Sequence, residues 1–512
     1  MNSDVGQTTG LVDLAARRLG GMVVQANDEF FAAKENLLDP LPPRHDPLAY
    51  ADRGKVMDGW ETRRRRGPGS DWCVVRLGVT GVLEAVVVDT TFFRGNFPDA
   101  CELHGTMSDD DVPPEDAVWV PLLDRTELRG DAQQRFEVDH RVQVSHVRLT
   151  IHPDGGVARL RLLGRPLVDL HRVADPGGRL NLAALTNGAR AIACSDAFFS
   201  SPSNMINVGD GRDMGDGWET RRRRGPGEDW AVVELATTGL LERIEIDTTH
   251  FNCNYPDRCA IDVLGATGRL TGHLDPEDES ALAPGADGWA VLVEPMPMRP
   301  HARHVIDLPH AVTATHLRLV MIPDGGVSRF RAHGVITEAG WRRSGLRQLD
   351  AMDAARAEQA LLACCGSRRW ARSMTEARPF EDTDALHATA RAIWDGLTPD
   401  DHLDAFAAHP RIGGSGGAER NHAAWSAQEQ SGTAGAEQDV MTALAEGNRA
   451  YEDRFGHVFL IRAAGRSAEE MLAALRQRLD NDPATEIAVA ATQQAQITAL
   501  RLDRLLQEGP TR

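Results

Sequence analysis

The pattern of apolar and polar positions divides the chain near residue 340. Ahead of that point the signals are those of strands. Trp72-Cys-Val-Val-Arg-Leu77 and Ala231-Val-Val-Glu-Leu235 are short β-branched runs, followed by Gly81–Asp89 and Leu241–Asp247. Leu241–Asp247 alternates apolar and polar, as do Ser145–Ile151 and Thr315–Met321, which is the period of a half-buried strand. Pro153-Asp-Gly-Gly156 and Pro323-Asp-Gly-Gly326 break the chain into turns, and the run to Leu163 leads back as a last strand. Many short strands with regular turn signals predict β-sandwiches. From about Leu346 the period becomes helical. Leu346–Leu362, rich in Ala and Leu, predicts a helix. Thr398-Pro-Asp-Asp401 is a helix start with a Thr cap, Pro in the first position and an acid in the first turn; Pro410 ends that helix near His409. Ser467-Ala-Glu-Glu470 is a capping box opening Met471–Leu479. Asn481-Asp-Pro483 stops that helix, and a final one runs from about Ala484 to Gln507. The predicted architecture is two all-β sandwiches, residues 1–170 and 171–340, then an all-α domain over 346–512. The boundary falls in the basic stretch Trp341-Arg-Arg-Ser-Gly345.

The two sandwiches are copies of each other. Trp60-Glu-Thr-Arg-Arg-Arg-Arg-Gly-Pro-Gly69 recurs letter for letter at Trp218–Gly227, each copy preceded by Asp-Gly and followed by Asp71-Trp72 or Asp229-Trp230. Asp89-Thr-Thr-Phe-Phe93 and Asn96-Phe-Pro-Asp99 answer to Asp247-Thr-Thr-His-Phe251 and Asn254-Tyr-Pro-Asp257 at the same offset of 158. The Pro-Asp-Gly-Gly-Val turns correspond at an offset of 170, so the second copy carries about a dozen extra residues in between. Upstream, Asp28-Glu-Phe-Phe31 answers to Asp196-Ala-Phe-Phe199. Each copy is domain-sized and too long for a solenoid repeat.

Bulk properties narrow the function. The chain has 512 residues, 42% of them hydrophobic, and a formal charge of −19. That length accommodates three domains. The acidic balance argues against nucleic acid as a partner, because phosphate binding needs a basic face. The N-terminus has neither a basic nor an apolar leader region, and no run approaches a membrane span. A cytoplasmic protein without membrane partners is expected. Seven cysteines without CxxC or zinc spacing predict free thiols, and no metal or cofactor is expected. Homo-oligomer formation is left open.

The repeated arginine block is the first candidate for chemistry. Alternate side chains of an extended segment face opposite ways, so at most two of the four arginines reach one site. Arginine is the forked donor for planar carboxylates. The competing reading pairs these arginines with nearby acids, Glu61 or Asp71, to hold a loop. Asp154 and Asp324 in the Pro-Asp-Gly-Gly turns are candidates at a sandwich rim or plain turn formers. Phe92 stands where the second copy has His250, which weakens any site needing that histidine twice. In the helical part, His409 lies at a helix end, where the dipole favours imidazolium. Ser426, Glu429 and Gln430 share one face of a helix. Arg501 lies one turn beyond Ile497, beside an apolar stripe, where a bland reading has it snorkelling.

Residues 10–340 resemble allantoicase. The resemblance is carried by Leu14–Gly21, Asp28–Phe31, Asp58–Arg66, Asn96–Asp99 and Pro153–Gly156, with their second-copy partners. It implies jelly-roll domains similar to galactose-binding modules, and hydrolysis of allantoate to ureidoglycolate and urea. That reaction calls for a carboxylate anchor and an acid–base group. The candidates are Asp28, Glu61, Arg63, Arg65 and Asp154, and in the second copy Asp196, Glu219, Arg221, Arg223 and Asp324. Glu29 is excluded from a symmetric role because Ala197 replaces it. Residues 346–508 resemble 2-oxo-4-hydroxy-4-carboxy-5-ureidoimidazoline (OHCU) decarboxylase through Cys364–Trp370, Arg378–Phe380, His409–Gly413, Ser426–Gln430, Tyr451–Phe459 and Gly465–Ser467. This resemblance implies His409 and Glu429 as the catalytic pair and Arg501 as a substrate clamp. It also implies a binding shell of Pro410, Ser426, Gln430 and the backbone of Ile461, Arg462, Ala463, Ala464 and Gly465. The whole then reads as a bifunctional enzyme of urate breakdown acting on two small molecules, allantoate and OHCU. The alternative is a decarboxylase carrying a non-catalytic, glycan-binding tandem sandwich.

Overall fold

The computed structural model describes residues 11–52, 54–265, 279–409, 438–463 and 466–509. The chain divides into two compact units, Met1–Gly340 and Trp341–Arg512. Both sandwich copies lie in the first, where Arg18 Nη1 of one copy donates to Asn204 Oδ1 of the other at 2.6 Å.

Each copy is built around one long strand. In the first, Asp71–Asp89 pairs through its leading half with Met22–Ala26 and Gln143–His152. Its trailing half pairs with Gln133–Glu137 and Arg159–Pro166. All of these ladders belong to one eight-stranded sheet that runs through this strand. The sequence pattern predicts two strands here, and the structure has one. The cause is Gly78 and Gly81 at the bend. A Cβ on Gly78 would lie 2.6 Å from the Leu19 carbonyl, and one on Gly81 2.3 Å from the Arg165 oxygen. Without side chains, both positions let neighbouring backbone in while the ladder continues. The second copy repeats the plan with Asp229–Asp247, but a single strand, Arg303–Ile322, pairs with both of its halves. The alternation predicted for Ser145–Ile151 and Thr315–Met321 places Val147, Leu149, Leu317 and Leu319 in the buried cores, but the strands are not half-buried as expected: His146 and Thr150, and His316 and Arg318, on the other face are buried as well.

The second unit is helical: Glu338–Asp350, Ala354–Cys365, Arg368–Glu376, Thr383–Asp395, Pro399–Ala407, Gln438–Phe455, Ala468–Arg478 and Pro483–Glu508. The predicted caps are present. Thr398 with Asp401, and Ser467 with Glu470, form reciprocal capping boxes. Leu346–Leu362 is two helices rather than one, because Asp353 caps a new start by accepting from Arg356 N at 3.0 Å. Trp341–Gly345, expected as a boundary, lies inside the helix that begins at Glu338. A Cβ on Gly345 would sit 2.0 Å from Leu506 O, so this helix packs closely on the last one. Trp370, Met374, Phe406, Leu502 and Leu506 centre one core; Leu444, Tyr451, Met471 and Leu475 centre another. Among the described residues, no helix is long and apolar enough to cross a membrane.

Asp350 gives this unit a pH-dependent stability. Burial pushes its carboxyl up to about 6, against the opposing influence of the Phe380 N–H and the Arg378 charge. The folded state therefore holds the proton more tightly than the unfolded chain. The cost of the carboxylate is complete above pH 6, fades as the pH falls towards the ordinary aspartate value, and is absent below it. Asp350→Asn, which mimics the protonated group, should stabilise the helical unit on the order of 2 kcal/mol at pH 8. The gain should vanish near pH 4, as followed by thermal unfolding at 222 nm; an equal gain at both pH values would refute the assignment.

Candidate functional site

The arginine block is folded into the rim of each sandwich by acids. Trp60 is fully buried, and its indole donates to the Asp28 carbonyl at 2.8 Å. This brings the Asp28 carboxylate against Arg63, whose Nε donates at 2.6 Å and whose backbone N–H donates at 3.2 Å. Burial opposes ionisation of Asp28, but the Phe30 N–H and the Arg63 contacts outweigh it and hold the carboxyl below its usual range. Arg65 Nε donates to Asp71 at 2.9 Å, and Arg65 N donates to Asp154 at 2.8 Å. The second copy matches group for group. Arg221 Nε meets Asp196 at 2.7 Å, Arg223 N meets Asp324 at 2.9 Å, and the Arg223 guanidinium meets Asp229. Arg64, Arg66, Arg222 and Arg224 point outward and are exposed. Of the two readings of the block, this geometry carries the loop-holding one for Arg65 and Arg223. Asp71 is nearly inaccessible, so Arg65→Ala removes the charged partner of a buried carboxylate and leaves it the neutral Asn27 amide at 2.9 Å. It should cost about 2 kcal/mol of unfolding free energy. A rise in the KM for allantoate without that loss would place Arg65 on the substrate instead.

Glu61 has a different environment. It pairs with Gly156 in a two-residue ladder beside Trp60, is only 9% exposed, and accepts from Asn96 Nδ2 at 2.6 Å. Burial raises its carboxyl pKa, and the Asn96 bond opposes the rise only in part. The Asn96 loop is fixed in turn, since its carbonyl accepts from Gly156 N at 2.7 Å. Glu61 lines a cavity of about 510 Å³ with Phe31, His45, Lys55, Met57, Phe92, Arg94, Gly95 and Asn96. His45 stacks on Phe92, the ring centroids 5.2 Å apart. Arg94 is tethered to Asp131 at 2.9 Å. The first unit therefore joins a buried carboxyl of raised pKa to cationic side chains around a space of ligand size.

His45, Lys55 and Arg94 are not among the sequence candidates, although the sequence carries a signal for two of them. Asp28 and Asp196 are 168 positions apart, Trp60 and Trp218 only 158. The first copy therefore holds ten more residues between these landmarks, and His45 and Lys55 fall in that longer connection. Arg159 and Arg161 anchor it through the Leu41 and Asp39 carbonyls, and Asp58 accepts from Arg44 N at 2.8 Å. In the second copy the corresponding Arg329 and Arg331 meet the shorter connection at the Gly209 carbonyl. Glu219 keeps its amide partner there, with Asn254 Nδ2 donating at 2.5 Å. His250 replaces Phe92 in the same left-handed backbone conformation, φ 75° against 70°, and its N–H donates to His301 Nδ1 at 2.9 Å.

In the helical unit, His409 lies one residue past the Ala408 cap of Pro399–Ala407 and is 9% exposed. Arg501, which the bland reading makes a snorkelling side chain, is fully buried instead. Its neighbourhood includes Cys365, whose thiol burial pushes up to about 11 against the pull of Thr498 and Arg501. Gln494 ties that wall together, donating to Cys365 O and to Thr498 Oγ1, both at 3.1 Å. Ile461 and Ala463 are buried, Arg462 is exposed, and Arg462 N donates to Gln493 at 3.0 Å. Glu429, Pro410, Ser426, Gln430, Ala464 and Gly465 lie outside the described residues. All seven cysteines are free, and the described residues contain no cluster fit for a metal ion.

Comparison with known proteins assigns these units. The family model of the allantoicase repeat matches residues 12–167 and again 180–337. The probable allantoicase 2 of Burkholderia pseudomallei is 44% identical over 329 residues, covering 64% of this chain and 95% of that protein. The chain belongs to the allantoicase family. The probable allantoicase of Nocardia farcinica is 46% identical over 340 residues, 64% of this chain and 94% of its own length. The crystal structure of allantoicase from Saccharomyces cerevisiae superposes with a TM-score of 0.52 at 32% identity, covering 64% of this chain and 93% of that one. The relatives account for the allantoicase repeats; residues 350–503 match a second family model, OHCU decarboxylase. Two enzyme domains are thus fused in one chain, and the match of both repeats to allantoicase sets the glycan-binding reading aside.

Proposed function

We propose that this chain hydrolyses allantoate to ureidoglycolate and urea in its first unit and decarboxylates OHCU to (S)-allantoin in its second. The observation that carries the first activity is the buried Glu61 carboxyl, held by Asn96 at the wall of a cavity edged by Lys55 and Arg94. Allantoate has one carbon bearing a carboxylate and two ureido groups. Water adds at that carbon, the C–N bond to one ureido group breaks, and the departing nitrogen takes a proton. A carboxyl whose pKa is raised by burial supplies that proton and receives one back from the attacking water. Lys55 and Arg94 suit the substrate carboxylate. In the second unit the bond between ring carbon and carboxylate breaks, and carbon dioxide leaves. The electron pair passes through the adjacent carbon to the ring imine nitrogen, which takes a proton. The hydroxyl-bearing carbon then becomes a carbonyl as its hydroxyl loses a proton, and one acid protonates the neighbouring ureido-bearing carbon. His409, with its helix-end placement, is assigned this proton, and Glu429 the orientation of the substrate hydroxyl. Arg501, Pro410, Ser426, Gln430 and the Ile461–Gly465 backbone form the shell in this reading. Free thiols throughout the chain suit the cytoplasm. Product analysis of the intact chain with allantoate and with freshly prepared OHCU tests the proposal: urea must appear from the first and optically active allantoin from the second. Failure of either product removes that half of it.

A further inference from the structure

The two copies of the sandwich are retained group for group in their framework, yet they differ where a ligand would meet them. Resting on the allantoicase reading above, we propose that allantoate is bound and hydrolysed by the first copy alone. The ten-residue longer connection of that copy completes the site, with Lys55 as the recognition residue for the substrate carboxylate.

Four observations converge on this. His45, Lys55 and Met57 line the cavity beside Glu61, and all three come from the connection between Leu38 and Asp58 that the second copy shortens. At the remaining lining positions the second copy keeps Phe199, Glu219 and Asn254 for Phe31, Glu61 and Asn96, but has His250 for Phe92, Asn252 for Arg94 and Cys253 for Gly95. One cationic position is thereby neutralised and another has no counterpart. The short connection also brings the Met214 thioether to 3.6 Å from Asn254 Nδ2, beside the amide that holds Glu219. Lastly, guanidinium groups are engaged with acids in both copies, Arg94 with Asp131 at 2.9 Å in the first, Arg212 with Asp216 at 3.2 Å and Arg303 with Asp210 at 2.6 Å in the second, which leaves the Lys55 ammonium as the cation that sets the first copy apart. An anionic substrate approaching a chain of net charge −19 needs a local cation to bind. Lys55 is exposed at the cavity mouth, where an ammonium can meet a carboxylate without distortion of the fold. The Glu219–Asn254 bond and the ladder of Trp218 and Glu219 with Val327 and Gly326 have their equivalents in the first copy, so the surrounding residues rather than this bond set the copies apart.

The test uses the full chain. Calorimetric titration of Glu61→Gln with allantoate should give one equivalent bound per chain. Lys55→Met, at an exposed position, should fold normally and raise the KM for allantoate about 10- to 100-fold, with Lys55→Arg recovering most of the loss. Glu219→Gln should leave kcat and KM within about twofold. Two equivalents per chain, a tenfold loss of kcat in Glu219→Gln, or an unchanged KM in Lys55→Met would each overturn the proposal while urea release continued. A wild-type chain that releases no urea from allantoate would instead remove the allantoicase reading, and this inference with it.

Discussion

Glu61→Gln should lower kcat for allantoate by about 10²- to 10⁴-fold, the usual contribution of a positioned acid–base group. The substitution keeps the shape and the hydrogen bond with Asn96, since a glutamine carbonyl accepts from Nδ2 as the carboxylate oxygen does. It removes the exchangeable proton. Its expected cost in stability is small or negative, because burial already disfavours the Glu61 anion and a neutral side chain escapes that penalty. OHCU decarboxylation in the same chain controls for folding. The pH profile carries a second expectation. A carboxyl that donates a proton to the leaving urea must be protonated, so kcat/KM should fall as the pH rises through its raised pKa. Asn96→Leu removes the bond that restrains this pKa, and should displace that limb to higher pH as well as lower the rate. A profile that does not move in Asn96→Leu, or a Glu61→Gln chain as fast as wild type, would exclude Glu61 as the proton donor.

How far the sequence reaches depends on whether the information is local. Capping boxes at Thr398 and Ser467 are legible because a cap involves residues three apart and little else. The strand Ser145–Ile151 is legible from its period of two, but the burial of its polar face, His146 and Thr150, is not. The continuity of Asp71–Asp89 is not, since Gly78 and Gly81 look like breaks until Leu19 and Arg165 are seen against them. The same contrast runs through the site. The arginine block stands out as text, but the structure ties Arg63 and Arg65 to Asp28 and Asp71, partners 35 and 6 positions away. The repeated text thus marks residues whose visible partners are acids of the same chain. Glu61 is visible in the sequence as part of that block; its burial and its amide partner are not. His45 and Lys55 belong to one copy only, so a search for what the copies share passes over them. The change of spacing from 168 to 158 is the trace they leave, and it becomes meaningful once both rims are laid side by side.

His409→Asn should cut OHCU decarboxylation by about 10²- to 10⁴-fold and leave urea release from allantoate intact. Asparagine is close in size and hydrogen-bonding capacity to imidazole but takes up no proton near neutral pH. His409 lies one residue past the Ala408 cap of Pro399–Ala407 and is 9% exposed. The stereochemical readout is independent of rate. If His409 delivers the proton to one face of the ring, the slow variant should yield allantoin of reduced optical purity, because solvent protonates both faces of a released intermediate. Arg501 supplies a contrast: it is wholly buried, and Arg501→Lys retains the charge but loses the planar fork. That variant should raise KM for OHCU while product handedness is preserved. Wild-type rate and handedness in His409→Asn would remove His409 from the proton transfer and leave Glu429 as the donor to test.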